Sequence, residues 1–321
     1  MKLRLLLIIA GFSFVLSCKN EIDINAPYRD IAIVYAFLDQ NDPVQYIRIQ
    51  KVYQNDATQT TAEGAQISDS LYFDSLVVTL TNRISGTVFP CFKVDSIPKD
   101  SGFFSTAKNI LYAVSIPKAN AENEEYALDI FYPKGNIRFS SITRLVKDPI
   151  IENRKVVLRP DLNNHNFSMR YTTGLNAYLY DLKLRFHYRE YQTFDTTTLY
   201  EDKFVDYSLK INKKVKPSSQ YDELTSSKSY YEFLKSQFKF VPGKYRKVLN
   251  FELITYGGSS EFQNLNSLSS PNISIVQKNP TYSNINNGIG IFSSRNKKNL
   301  VLNNDVNTTN LLNNNLEGFK P

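Results

Sequence analysis

Between Asp181 and Arg189 the chain alternates without a break. Leu182, Leu184, Phe186 and Tyr188 stand on one side, and Asp181, Lys183, Arg185, His187 and Arg189 on the other. Successive side chains of a β-strand point to opposite faces, so this segment is expected to be a strand with one face buried and one solvated. A helix would scatter these apolar residues around its axis. The same period returns over Lys247–Tyr256 through Leu249, Phe251 and Leu253. Shorter strand signals, separated by Gly, Pro and Asn, recur at Leu76–Thr81, Val88–Val94, Leu111–Ile116, Tyr126–Tyr132 and Ile137–Leu145. Short strands at this spacing predict all-β packing rather than βαβ units. The aromatic complement agrees: 21 Tyr and 21 Phe with no Trp are strand-forming residues that can fill such cores.

The expected fold class is therefore mostly β. An N-terminal immunoglobulin-like or transthyretin-like β-sandwich over 31–146 precedes a second β-rich domain over 147–295 with one or two short helices. The boundary is placed at Lys147-Asp148-Pro149. Residues 296–321 read as a polar, Asn-rich tail. Ile31–Leu38 is continuously apolar, which predicts a strand buried on both faces. A turn cluster follows at Asp39–Pro43, with a hairpin partner over Gln45–Tyr53. Lys228–Phe238 shifts to helical spacing through Tyr231, Leu234 and Phe238, with Ser226 or Ser227 as the cap. A second short helix is expected to start at Ser259–Phe262.

Met1–Ser17 has the order of an export leader: Lys2 and Arg4 at the start, then an apolar run to Leu16. The run is shorter than the ~20 residues of a spanning helix, and charge followed by apolar residues is the pattern of a cleaved leader. Ending in Val-Leu-Ser-Cys, it resembles a bacterial lipoprotein signal. That resemblance implies acylation of Cys18, loss of residues 1–17, and a lipidated tether over 18–30. Of the two cysteines, only Cys91 would then keep its thiol.

Other chemistries find little support. The net charge is +7, but Lys and Arg are interleaved with acids, as on solvated faces, so no nucleic-acid partner is expected. Of the two histidines, His165 lies in a polar loop and His187 on the wet side of a strand. No Gly-x-Ser-x-Gly elbow accompanies either. Glu124, Glu125, Glu190, Glu252 and Glu261 are candidate acids by residue type alone. No catalytic residue, metal site or cofactor is assigned.

One motif stands out near the C-terminus: Asn284-Ile285-Asn286-Asn287-Gly288-Ile289-Gly290-Ile291-Phe292. Gly288 and Gly290 permit backbone angles or close approaches that side chains forbid. Ile289, Ile291 and Phe292 would pin the segment to a core. No Gly-Lys-Ser/Thr follows, so a phosphate loop is not indicated. The structural signature Asn284, Ile285, Gly288, Gly290 and Phe292 resembles the closing segment of a family of Bacteroidota lipoproteins of the domain-of-unknown-function 4249 type. The leader and first hairpin, residues 16–53, match that family's plan as well. The resemblance implies a lipid-anchored outer-membrane protein on the periplasmic or cell-surface face. It implies a non-enzymatic binding role, as an accessory to a TonB-dependent transporter or another envelope partner. A surface hydrolase acting on polysaccharide or peptide, and a structural envelope or adhesion component, are the alternatives. An enzyme would bring carboxylates or a held histidine into a pocket, whereas a binding protein would expose an aromatic or apolar patch.

Overall fold

A computed structural model describes residues 30–52, 67, 71–98, 108–118, 124–152, 154–159, 161–163, 165–192, 199–269 and 282–320. The first half contributes β1 (Ala32–Asp39), β2 (Gln45–Lys51), β3 (Val77–Asn82), β4 (Val88–Pro90), β5 (Phe92–Val94), β6 (Leu111–Val114), β7 (Glu125–Tyr132) and β8 (Ile137–Arg144). The second half contributes β9 (Ile150–Ile151), β10 (Lys155–Val156), β11 (Asn166–Thr172), β12 (Leu179–Tyr191), β13 (Tyr200–Lys214) and β14 (Gln220–Ser226). After these come α1 (Ser227–Gln237), β15 (Tyr245–Gly258), α2 (Ser260–Ser269), β16 (Ile289–Asn304) and α3 (Val306–Asn315). The fold is mostly β, as the alternation demands.

One nine-stranded sheet runs β13-β12-β15-β16-β1-β2-β6-β5, with β10 paired to β16. Every neighbour pair along that path is antiparallel except β1 and β16, which run parallel from Ile33↔Ile289 to Asp39↔Arg295. A four-stranded sheet, β4-β3-β7-β8, packs on the β1-β2-β6 end. Val34, Ile47 and Tyr112 of the large sheet meet Leu80, Leu128, Ile130 and Phe139 of the small one in the first core. At the other end Leu184, Phe186, Phe251, Leu253 and Leu302 form a second core with β11, α1 and α3. The inward residues of β12 are those the alternation selects.

The large sheet runs across the expected boundary at Lys147, and a small third core gathers Val146, Tyr171, Tyr180 and Leu182. Ile285 and Phe292 return to the first core, and β16 joins β15 to β1.

The expectation of a polar tail over 296–321 is corrected. These residues supply most of a central strand and a third helix, where one or two helices were expected. The asparagines hide two apolar periods. Leu300 and Leu302 face inward two residues apart, and Leu312 and Leu316 are buried four apart. Asp305 caps α3 by accepting from the Thr308 N–H at 2.9 Å, a typical N-cap bond. For α1, Ser226 is the cap.

The second core is closed at its far end by Glu190, which is 5% exposed. Its carboxylate accepts from Lys203 Nζ (2.9 Å), Lys244 Nζ (3.2 Å) and Arg246 Nε (2.9 Å). Burial alone would raise its pKa, but these bonds overcome that and hold the carboxyl at about 2. A group depressed on folding stabilises the fold above its unfolded value and ceases to do so as pH falls through its folded value. Glu190→Gln is expected to cost about 2 kcal/mol at neutral pH by weakening charge-assisted bonds. Urea midpoints of the natural chain and the variant should converge between pH 4.5 and 2; midpoints that stay equally far apart there would contradict this account.

Candidate functional site

The outward side chains of β1 are Ile33, Tyr35 and Phe37. The continuous apolar run predicts burial on both faces, but Tyr35 is 48% exposed. This corrects the expectation: half of the run serves the core and half faces out. Tyr35 lies opposite Arg48, Tyr46 opposite Ala113, and Ala113 opposite Phe92. Directly opposed residues share a face, so Phe92, Tyr46 and, by the hairpin register, Phe37 stand in one row across the sheet. Phe92 is 67% and Tyr46 45% exposed. Large exposed aromatics aligned on one face are unusual for a surface that meets only water.

The row ends in a cleft. Helix α2 lies over the outer face of β16, where Ser259 and Ser293 hydroxyls meet at 2.8 Å. Phe262 of α2 meets Phe37 edge-on, with ring centroids 5.7 Å apart. Gln263 Nε2 donates to the Tyr178 carbonyl at 2.8 Å and fixes the helix. Gly258 lets it settle so closely: a Cβ there would lie 2.5 Å from Phe262 Cδ1. Between α2 and the sheet is a cleft of about 310 Å³, walled by Phe37, Phe262, Tyr256 and Leu179, with Arg295 and Asp181 as its charged residues. Among the described residues Arg295 is bridged only to Asp42, at 3.5 Å, and it is more than half exposed. Asp181 accepts the Asn212 N–H at 2.6 Å. An apolar space with a few charged groups is the usual chemistry of a binding pocket.

Over β12, β13 and β15 the outer face carries charges. Arg185 grips Asp206 through two bonds (2.7 and 3.0 Å) and lies 3.8 Å over the Phe204 ring. Arg189 repeats this with Asp202 and Tyr200. His187 Nε2 is 3.0 Å from Glu252 Oε2, and its ring lies against Phe204. His165 uses its backbone carbonyl to receive the Ser227 N–H. The candidate carboxylates have separate partners. Glu124 receives the Tyr126 hydroxyl, Glu125 bridges Arg83 and Arg144, Glu190 serves the cluster described above, and Glu261 meets Ser259 and Thr143.

The C-terminal motif forms a clasp. Asn284 Nδ2 donates to the Phe292 carbonyl (2.7 Å), and the Phe292 N–H returns to Asn284 Oδ1 (2.9 Å). The side chain thus pairs with the backbone as a neighbouring strand would. Ile285 and Phe292 enter the first core. Gly288 and Gly290 pass against β1, where a Cβ would fall 2.8 Å from the Ala32 carbonyl and 2.0 Å from the Val34 carbonyl respectively. Cys91 packs against the first core, and burial pushes its thiol up to about 12. Cys18 and the leader lie outside the described residues.

No family model matches this chain, and no curated protein matches it. Among the described residues no group of three or more His, Cys, Asp or Glu could hold a metal ion, and no helix is long and apolar enough to cross a membrane.

Sequence reasoning missed Phe37, Tyr46, Phe92 and Phe262 as a group. A usable signal was the aromatics at alternate positions of the first hairpin: Tyr35 and Phe37 on one strand, Tyr46 on the other.

Proposed function

We propose that this chain is a lipid-anchored envelope protein that acts by binding. Its acylated Cys18 holds it at the outer membrane, and the outer face of its large sheet receives a protein partner, a TonB-dependent transporter. The row of exposed Phe92 and Tyr46 and half-buried Phe37, running into the Phe37–Phe262 cleft, carries the binding reading. Aromatic residues anchor protein interfaces because they bury much area with few rotors. An apolar side chain of the partner enters the cleft, and a carboxylate beside it meets the loosely held Arg295. The leader and the resemblance of the clasp motif support the location and the class of partner.

Two measurements test this. Cys18→Ser should move the protein out of the membrane fraction, and a variant that stays there removes the anchor from the proposal. A photo-crosslinking residue at Tyr46 should form an adduct in cells that mass spectrometry identifies as a transporter barrel. The same residue at Ile84, more exposed than Tyr46 and on the β3–β4 turn, should form none. The double change Tyr46→Ala and Phe92→Ala should weaken that association at least about tenfold with the thermal midpoint unchanged. Adducts that are absent, or equal at both positions, would sink the binding face.

A further inference from the structure

The turn between α1 and β15 combines three features. From Phe233 to Phe251 the chain carries five basic residues, Lys235, Lys239, Lys244, Arg246 and Lys247, and no acidic one. At its apex, Phe240 is 65% and Val241 38% exposed. The turn is also held firmly. Phe238 is buried against Tyr188 and Phe319, Arg246 Nη1 donates to the Lys239 carbonyl (3.1 Å), and the Phe240 N–H donates to Glu317 (2.8 Å). Gly243, at φ +81°, turns the chain back, and the Lys244 N–H closes onto the Val241 carbonyl at 3.1 Å. Two apolar side chains are thus presented to solvent by a fixed support.

Two carboxylates lie at this tip: Glu317, which accepts the Phe240 N–H, and Glu190. Glu190 satisfies Lys244 and Arg246. Lys235, Lys239 and Lys247 are exposed and have no acidic partner among the described residues. Leu199 and Tyr200, both more than half exposed, lie at the same end of the sheet, since Tyr191 pairs with Tyr200 on one side and Tyr245 on the other. Apolar and tyrosine side chains within a lysine collar suit the boundary of a bilayer: rings enter the acyl margin while ammonium groups meet anionic headgroups.

We propose that this tip docks on a lipid surface bearing anionic headgroups, with Phe240 and Val241 inserted and Lys239 and Lys247 on the phosphates. It lies at the opposite end of the sheet from the start of β1. Strand β1 begins level with the start of β16, whereas β15 begins beyond the end of β16. The proposal does not depend on an anchor at Cys18.

The chain has no tryptophan, so Phe240→Trp in the full chain places a single reporter at the tip. Its emission should shift to the blue, and be quenched by brominated acyl chains, with phosphatidylcholine vesicles containing phosphatidylglycerol but not with phosphatidylcholine alone. Adding Lys239→Glu and Lys247→Glu should raise the lipid concentration needed at least about tenfold. Val241→Trp reads the same turn independently. A chain held only by its acyl group leaves both reporters unshifted, and that result overturns the proposal whatever the fate of the anchor. So does an equal shift from Tyr46→Trp on the outer sheet face, which would mean general adsorption. A shift with soluble polyglutamate and none with vesicles also overturns it, by pointing to an acidic protein.

Discussion

Gly290→Ala is expected to lower stability by about 4 kcal/mol or to prevent folding, an unusually large effect for one methyl group. Two causes act together. Gly290 has φ +113°, a conformation that side chains rarely adopt, and an added Cβ would lie 2.0 Å from the Val34 carbonyl oxygen and 2.9 Å from the Val34 nitrogen. Val34 is in β1 at the middle of the sheet and paired with Gly290 itself, so its backbone cannot retreat without opening the β1–β16 pairing. Gly86 separates the two causes. It has φ +72° with nothing within 4 Å of its Cβ position, so Gly86→Ala should cost only about 1 kcal/mol from backbone preference. Urea midpoints followed by circular dichroism would measure both. A Gly290→Ala protein no weaker than Gly86→Ala would show that the close approach to β1 is not what the glycine serves.

Asp148→Ala is expected to cost about 3 kcal/mol, the scale for breaking a partly buried charged network on one side. In a chain this long that corresponds to a fall of roughly 5–10 °C in thermal midpoint. The Asp148 carboxylate accepts from Gln40 Nε2 (2.9 Å), Asn41 Nδ2 (2.9 Å), Asn296 Nδ2 (2.8 Å) and Lys298 Nζ (2.7 Å). It thereby ties the turn of the first hairpin to β16. Burial opposes its ionisation, but bonds from Lys298 and the three amides overcome this and hold the carboxyl well below the usual carboxylate range. Its contribution is therefore complete above an ordinary aspartate value, about 3.9, and disappears only in stronger acid. Asp148→Asn should lose nearly as much, because its amide would turn a donor toward donors. A midpoint within 1 °C or so of the natural chain would mean that the four donors find other acceptors.

The parts of this fold that could be read in advance are those whose pattern is local. The period of two over Leu182–Tyr188 identifies β12 and its inward side. Tyr231, Leu234 and Phe238 identify α1, and the Asp39–Pro43 cluster identifies the first turn. What could not be read depends on partners far away in sequence. The second half of strand β16 reads as a polar tail because its asparagines suggest solvent, yet the strand has β15 and β1 on its two sides. Phe37, Tyr46, Phe92 and Phe262 come from four elements, and nothing within any one of them announces the row. The tip differs again. Its run of five cations without an acid is plain in the linear sequence, but averaging charge over the whole chain conceals it.

Strand β16 is the only described strand that links β15 to β1. Without it the large sheet is two separate pieces, each with an open edge. Because synthesis runs from the N-terminus, the first hairpin exists long before its parallel neighbour leaves the ribosome. Until then the hairpin offers unpaired amides to any passing strand. A copy cut short near its end would thus lack far more than a terminus: neither half could close, and the cell's proteases would meet an unfinished molecule.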